Sequence, residues 1–268
     1  MISKCRLCGS KNPRLYYTEG NDDQFRYYKC PDCKLVNYDM SMGLDQEKHM
    51  KDFIDPRNPK HKANIKQKQT YNFIKRHIAK PGKLLDIGCN NGSLLLLARE
   101  DGWKVVGIEL FSSLADSLKK ATGIDVKVCD FLEYEVGEDE SYDLVILKHV
   151  LEHLPDPVLA MNKIHALLEN DGCALLEFPN TDSPDLRFKW FLRRNGIYRR
   201  KFSPDYVPHH CNEFCKESFE FLLAKTGFRL VKWQTYSSTE LLSGLYNIVR
   251  YGNKARAVIK KAETAENG

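Results

Sequence analysis

Four cysteines in two close pairs, Cys5-x-x-Cys8 and Cys30-x-x-Cys33, have the spacing of a tetrahedral metal site. Each pair can set two thiolates on one side of a tight turn, and two such turns complete the coordination of one zinc ion. With thiolate at all four positions no place remains for water, so the zinc they imply is structural. A second constellation runs Asp86-Ile87-Gly88-Cys89-Asn90-Asn91-Gly92, with Glu109 closing the next apolar run. Glycines there let the backbone approach a ligand, and the helix start that follows offers unpaired N–H groups. An acid at the end of the second strand can accept both hydroxyls of a ribose, so this set implies a nucleoside-containing cofactor. No Lys-Ser/Thr pair follows the turn, as a Walker-type phosphate loop would require. A third set is rich in imidazole: His149, Glu152 and His153 lie within four residues of each other, and His209-His210-Cys211 comes later. These residue types can move a proton near neutral pH or bind a metal.

The elements that must position them alternate. Strands are expected near 83–87, 104–109, 125–129, 142–147, 172–178 and 228–236, and helices near 92–101, 111–122, 156–170 and 216–226. That alternation predicts an α/β chain with a Rossmann-like, doubly wound, mostly parallel sheet, whose ligands sit at the carboxyl ends of the strands. The organisation expected is a zinc ribbon over 1–42, a basic linker and leading helix over 43–82, a cofactor-binding domain over 83–236 and a tail over 237–268. A ribbon of about 40 residues is too small to hold a core alone and would draw folding free energy from its metal. In the tail, Tyr246-Asn247-Ile248-Val249 is the one faint strand candidate, and the rest reads as helical.

The 268 residues can bury one substantial core plus a small appendage. The first eight residues contain no apolar signal segment and no run approaches spanning length, so a soluble, cytoplasmic protein is expected, with no transmembrane segment. Nine cysteines, an odd number with four in two close pairs, argue for metal over a disulfide framework. The net charge of +5 is uneven. Cations gather over 48–83 and again over 187–201, where Arg187, Lys189, Arg193, Arg194, Arg199, Arg200 and Lys201 interleave with Trp190, Phe191 and Tyr198. Such a run suits a nucleotide diphosphate, a membrane surface or a nucleic acid.

The Leu84–Gly92 stretch resembles motif I of the class I S-adenosylmethionine-dependent methyltransferases, and the resemblance extends over about residues 65 to 236. Those enzymes usually carry three glycines in the turn; here the middle one is Asn90, a residue that tolerates left-handed backbone. The Gly-Cys-Asn-Asn-Gly form is most similar to the Gly-Ser-Asn-Asp-Gly turn of zinc-containing sugar methyltransferases, although the long C-terminal domain of the sugar C-methyltransferases has no counterpart here. His149-Val150-Leu151-Glu152-His153-Leu154 resembles a branch that includes quinone, sugar and other small-molecule methyltransferases. The resemblance implies a cofactor seat built from Asp86, Gly88, Cys89, Asn90, Gly92, Glu109, Leu110 and Lys148. In it Asp130 meets the adenine amino group and Phe131 packs on the ring. It also places His210 over the methyl-transfer site, with His149, His153 and Glu152 in reserve.

The expected function is S-adenosylmethionine-dependent methyl transfer to an oxygen or carbon of a small molecule, a nucleotide-linked sugar or cell-surface glycan precursor ranking first. The segment 180–214 would recognise that substrate. One alternative is an RNA methyltransferase whose ribbon and basic linker hold nucleic acid, although the Asn/Asp-Pro-Pro-Tyr/Phe motif is absent. Another is a metal-dependent O-methyltransferase, in which His149, Glu152, His153 and a later histidine form the site; related enzymes have Glu where His149 stands. A non-enzymatic binding module on the same fold is the third, and the intact cofactor turn argues against it.

Overall fold

The structure, a computed structural model, describes residues 2–45, 53–78, 80–138, 140–197, 201–237 and 252–263. Three short strands open the chain: β1 (Arg14–Glu19), β2 (Phe25–Lys29) and β3 (Val36–Tyr38). They form an antiparallel sheet whose fourth strand, β9 (Asn212–Glu213), comes from far along the sequence and pairs Val36 with Glu213 and Asn37 with Asn212. Aromatic residues hold one face of this sheet, where Phe25, Tyr27 and Tyr38 are buried. On the other side Cys5, Leu7, Cys30, Cys33 and Leu35 join the same apolar cluster as the main sheet's Leu85, Leu147 and Leu176. The ribbon therefore shares its core with the larger body.

The main sheet has seven strands. In chain order these are β4 (Lys83–Ile87), β5 (Lys104–Glu109), β6 (Val126–Val128), β7 (Tyr142–Lys148), β8 (Leu168–Pro179), β10 (Phe228–Tyr236) and β11 (Lys254–Lys261). In space the order is β10-β11-β8-β7-β4-β5-β6, with β11 alone antiparallel to its neighbours. The chain winds outward from β4 to β6 and then returns to place β7 on the other side of β4. This is the switch point at which a doubly wound sheet opens a crevice. The covering helices are α1 (Lys62–His77), α2 (Ser93–Glu100), α3 (Ser112–Thr122), α4 (Pro157–Leu167) and α6 (Lys216–Lys225). Asp156 caps α4 by accepting a hydrogen bond from the Leu159 amide, with Pro157 in the first turn where its missing N–H costs nothing. Among the described residues no helix is long and apolar enough to cross a membrane.

Three details differ from the sequence expectation. Residues 254–261, read as helical, form strand β11 between β8 and β10, and Ala255, Ala257, Val258 and Ile259 are buried there. Pairing on both edges overrides the helix propensity of an Ala- and Lys-rich segment. Strand β8 begins at Leu168, where Leu168 still pairs with Tyr142, so α4 stops at Leu167 instead of running to 170. Within 180–214 a helix, α5 (Pro184–Arg194), forms against the ribbon. The strand candidate at 246–249 and residues Tyr198, Arg199 and Arg200 lie outside the described residues.

Candidate active site

A cleft opens at the carboxyl ends of β4, β5, β6 and β7. Gly88, Glu109, Leu110, Asp130 and Phe131 line it, together with Val150, His149 and His153. The turn after β4 has the backbone its residues predict: Gly88, Asn90 and Gly92 all have positive φ, at 70°, 51° and 71°. At Gly88 a Cβ would stand 2.5 Å from Val150 Cγ2, so side chains are excluded there by both space and backbone. Glu109 is buried and tied to the turn. Its Oε2 accepts the Asn90 amide at 2.8 Å, and its Oε1 accepts the amides of Leu110 (2.9 Å) and Phe111 (3.3 Å). Asp130, at the end of the neighbouring strand β6, accepts the Leu132 amide at 2.8 Å beside the buried Phe131 ring.

Several expected cofactor residues support the cleft without lining it. Asp86 is buried beneath the turn, and that burial pushes its carboxyl up to about 7 against the pull of Lys148. The Cys89 thiol faces inward, 2.7 Å from where a Cβ on Gly107 would sit, and burial drives its pKa well upward. Lys148 turns away from the cleft towards α1, donating to Gln67 Oε1 (2.9 Å) and Thr70 Oγ1 (2.7 Å) and lying 3.5 Å from Glu177. Glu177 is buried in β8 and also receives Thr70, Tyr236 and Arg256. Burial opposes its charge, but Lys148 and Arg256 hold its carboxyl below the usual range. Asn64 of α1 adds a bond from Asn91 at 2.9 Å and one from Ser93, which locks the turn to the leading helix.

The histidines converge at the cleft mouth. His149 has the left-handed backbone, φ 56°, rare for a residue with a side chain and a mark of stored strain at functional sites. Both of its ring nitrogens are engaged: Nδ1 lies 3.0 Å from Glu152 Oε1, and Nε2 lies 3.0 Å from Lys254 Nζ. A charged Lys254 can only donate, which puts the imidazole proton on Nδ1, facing Glu152. Burial would raise the Glu152 carboxyl, but the His149 hydrogen bond and the nearby His210 and His153 hold it down to about 2. Glu152 Oε2 is buried and receives no hydrogen bond from the described residues. His153 Nδ1 lies 3.0 Å from the His209 carbonyl, an acceptor, so Nε2 is the basic nitrogen of that ring. The His153 and His210 rings are 4.7 Å apart between centroids. Ligand-type atoms of Glu152, His153 and His210 lie within 4.8 Å of one another, a set that fits one cation or one shared proton.

The ribbon positions this segment. Arg6, between Cys5 and Cys8, donates from its guanidinium to the Tyr38 carbonyl (3.0 Å), the Asn212 side chain (3.1 Å) and the Cys211 carbonyl. Cys211 N in turn donates to the Glu152 carbonyl at 2.9 Å, and Asn212 Nδ2 to the Leu154 carbonyl at 2.7 Å. His210 thus sits between a loop on the sheet and a strand of the ribbon. The four ribbon sulfurs form one group, with Cys5–Cys33 and Cys8–Cys30 each at 3.5 Å. Tetrahedral Zn–S bonds of about 2.3 Å require sulfurs about 3.8 Å apart, so the cluster fits a zinc ion after small adjustment. Asn37 Nδ2, 3.6 Å from Cys5 Sγ, supplies an outer hydrogen bond of the kind that steadies a ligating thiolate. Cys215 stands apart from that group and caps α6, accepting a hydrogen bond from the Ser218 amide.

Sequence reasoning missed Lys254, because its strand was read as helix, and Asn64, which carries no motif. The buried Glu177 was visible as a lone acid in the apolar run Cys173–Pro179, a signal that a charge partner must exist nearby.

Among curated relatives, a ubiquinone biosynthesis O-methyltransferase of Xanthomonas campestris pv. campestris (strain B100) is 28% identical over 131 residues, 47% of this chain and 54% of that protein. A tRNA U34 carboxymethyltransferase of Sulfurimonas denitrificans is 31% identical over 123 residues, 43% of this chain and 40% of that protein. The chain thus spans about half the length of the curated relatives it matches. Among solved structures, a SAM dependent methyltransferase from Archaeoglobus fulgidus superposes with a TM-score of 0.52 at 21% identity, covering 73% of this chain and 94% of that one. Magnesium protoporphyrin IX methyltransferase from Synechocystis PCC 6803, with bound SAH, gives 0.55 at 15% identity, covering 74% and 83%. At these identities the two structures show a shared fold. A family model described as a methyltransferase domain matches residues 47–232, and the chain belongs to that family.

Proposed function

We propose that this protein transfers a methyl group from S-adenosylmethionine to an oxygen or carbon atom of a small molecule. The observation that carries the reading is the cleft itself: Glu109 and Asp130 line it at successive strand ends, His149 and His153 line it beside them, and His210 packs against His153. Glu109 would hold the ribose, Asp130 the adenine amino group and Phe131 the ring face. The cofactor, when bound, supplies an electrophilic methyl. The chain's own residues must then orient the acceptor in line and remove its proton. His210 is the base in this reading. His153 and Glu152 stand beside it to stabilise the charge it gains, and His149, with both nitrogens engaged, braces the loop.

The acceptor class proposed is a nucleotide-linked sugar or a cell-surface glycan precursor. The Gly-Cys-Asn-Asn-Gly turn, the four-cysteine head and the cations of 187–201 support it. The head is proposed to hold one structural zinc on Cys5, Cys8, Cys30 and Cys33, where the sulfur spacing supports the assignment.

A second reading rests on the orphaned Glu152 Oε2 beside two imidazoles: a divalent cation on Glu152, His153 and His210 that would take part in an O-methylation. One experiment separates the two. The protein is incubated with methyl-labelled S-adenosylmethionine and a panel of nucleotide sugars, quinol precursors and transfer RNA, with and without a chelator and added Mg²⁺ or Mn²⁺. Label on a small molecule, indifferent to chelator, supports the metal-free base. Chelator-sensitive label supports the second reading, label on RNA overturns both acceptor assignments, and failure to bind either methionine nucleoside overturns the function.

A further inference from the structure

Helix α5 leaves the sheet at the carboxyl end of β8, the end that carries the cleft. Its inner face is seated on the ribbon. Trp190 stacks on Tyr17 with centroids 5.1 Å apart and meets the edge of Tyr16 at the same distance. Arg193 reaches Glu19 (3.7 Å) and Asp23 (3.6 Å) and lies over the Phe202 ring. With 3.6 residues per turn, Phe188 and Phe191 fall on the side away from Trp190. They are 59% and 57% exposed, and Ile197, just beyond the helix, is 68% exposed. Arg187 and Lys189 are both exposed and flank this stripe, one on each side. From Arg187 to Lys201 the sequence has seven Lys or Arg and no acid.

We infer that the outer face of α5 docks on a lipid bilayer surface bearing anionic headgroups. An amphipathic helix lying in the interface buries its apolar stripe at the acyl boundary while flanking cations reach the phosphates. Phe188 and Phe191 supply the stripe, Ile197 adds an exposed apolar side chain just beyond the helix, and Arg187 and Lys189 have the snorkelling positions. The arrangement favours a membrane over a nucleic acid: Ile197 has no ring on which a base can stack, and although cations and rings interleave along the sequence, around the helix Arg187 and Lys189 border the phenyl stripe. The consequence is a cleft presented at a membrane, where a lipid-borne acceptor would be met. The docking itself does not depend on the methyl-transfer reading.

The test is co-sedimentation of the full chain with vesicles of phosphatidylcholine containing phosphatidylglycerol, against pure phosphatidylcholine vesicles. The protein should partition to the anionic vesicles and leave them partly as salt rises. Phe188→Ser with Phe191→Ser should lower partitioning about tenfold or more, and Arg187→Glu with Lys189→Glu should do the same. Phe221→Ser, which alters an exposed phenyl on α6, should change nothing. Phe191→Trp keeps the stripe and should add vesicle-dependent fluorescence with a blue shift, which guards against loss through misfolding of the serine variant. Failure of the native chain to sediment with anionic vesicles, or sedimentation unaffected by the double serine variant, overturns the proposal. So does binding of single-stranded RNA that the serine variant loses while vesicles are ignored.

Discussion

Replacing Glu109 by alanine removes a carboxylate that serves both the turn and the cleft. Its oxygens accept three backbone amides, at 2.8, 2.9 and 3.3 Å, that hold the glycine turn and the start of α3 in register. Its remaining acceptor capacity faces the cleft, where two ribose hydroxyls would bond to it. A hydrogen bond to a charged group contributes about 1.5–3 kcal/mol, and two make about 3–6 kcal/mol before water enters the vacated space. Taking the lower end for that rehydration, affinity for S-adenosylhomocysteine should fall about 10²-fold. Glu109→Gln should do no better, because one end of its amide is a donor and would face an N–H on one side or the other. Titration calorimetry reads the affinity, and circular dichroism confirms that both variants remain folded. A folded Glu109→Ala protein whose affinity stays within about threefold of the native chain would show that the ribose is held elsewhere.

His210→Ala should reduce turnover about 10²–10⁴-fold while leaving S-adenosylhomocysteine affinity unchanged, as a lost general base does; undiminished turnover would reduce His210 to a structural residue. Cys30→Ser should release the zinc found by metal analysis at one per native chain. Because Arg6 ties the ribbon to Cys211, it should lower turnover more than cofactor affinity, and a native metal content in the variant would contradict the ligand set. Glu213 is buried, with Tyr17 donating to Oε1 at 2.8 Å and none of the described residues donating to Oε2, and burial pushes its carboxyl up to about 8. Since its folded pKa lies above the ordinary 4.5, the folded state holds an extra proton between these values and loses stability as pH rises through that window. Glu213→Gln should therefore melt higher than the native chain, by a margin that grows up to about pH 8 and then levels off. Asp86 has the same sign up to about 7, so a residual slope should remain; a margin that shrinks with rising pH refutes the assignment.

The parallel strands and the acids at their ends were legible because each apolar run terminates where a motif residue begins. Asp86, Glu109 and Asp130 could be placed by counting strands. Their division of labour was not, since whether an acid lines the cleft or lies beneath it depends on packing, as Asp86 and Lys148 show. Strand β11 was hidden by alanines and lysines that suit a helix equally well. With it Lys254 was lost, and so was the fact that His149 has no ring nitrogen to spare. Helix α5 likewise depends on Trp190 meeting Tyr16 and Tyr17, partners more than 170 positions earlier that no local pattern announces.

The two-residue strand β9 makes the ribbon's sheet wait for a segment about 175 positions further along the chain. The cysteine knuckles can close on a metal once Cys33 has emerged, but their sheet lacks its edge until Asn212 and Glu213 are synthesised. For that interval Val36 and Asn37 present an unpaired edge, the kind that invites pairing with other chains. Early metal capture would hold the nascent ribbon in shape through this delay, when its aromatic face has neither α5 nor Tyr206 to cover it. The ribbon's thiolates would thus matter most during synthesis, and zinc starvation would be expected to lower the yield of folded protein before it lowered the activity of molecules already made.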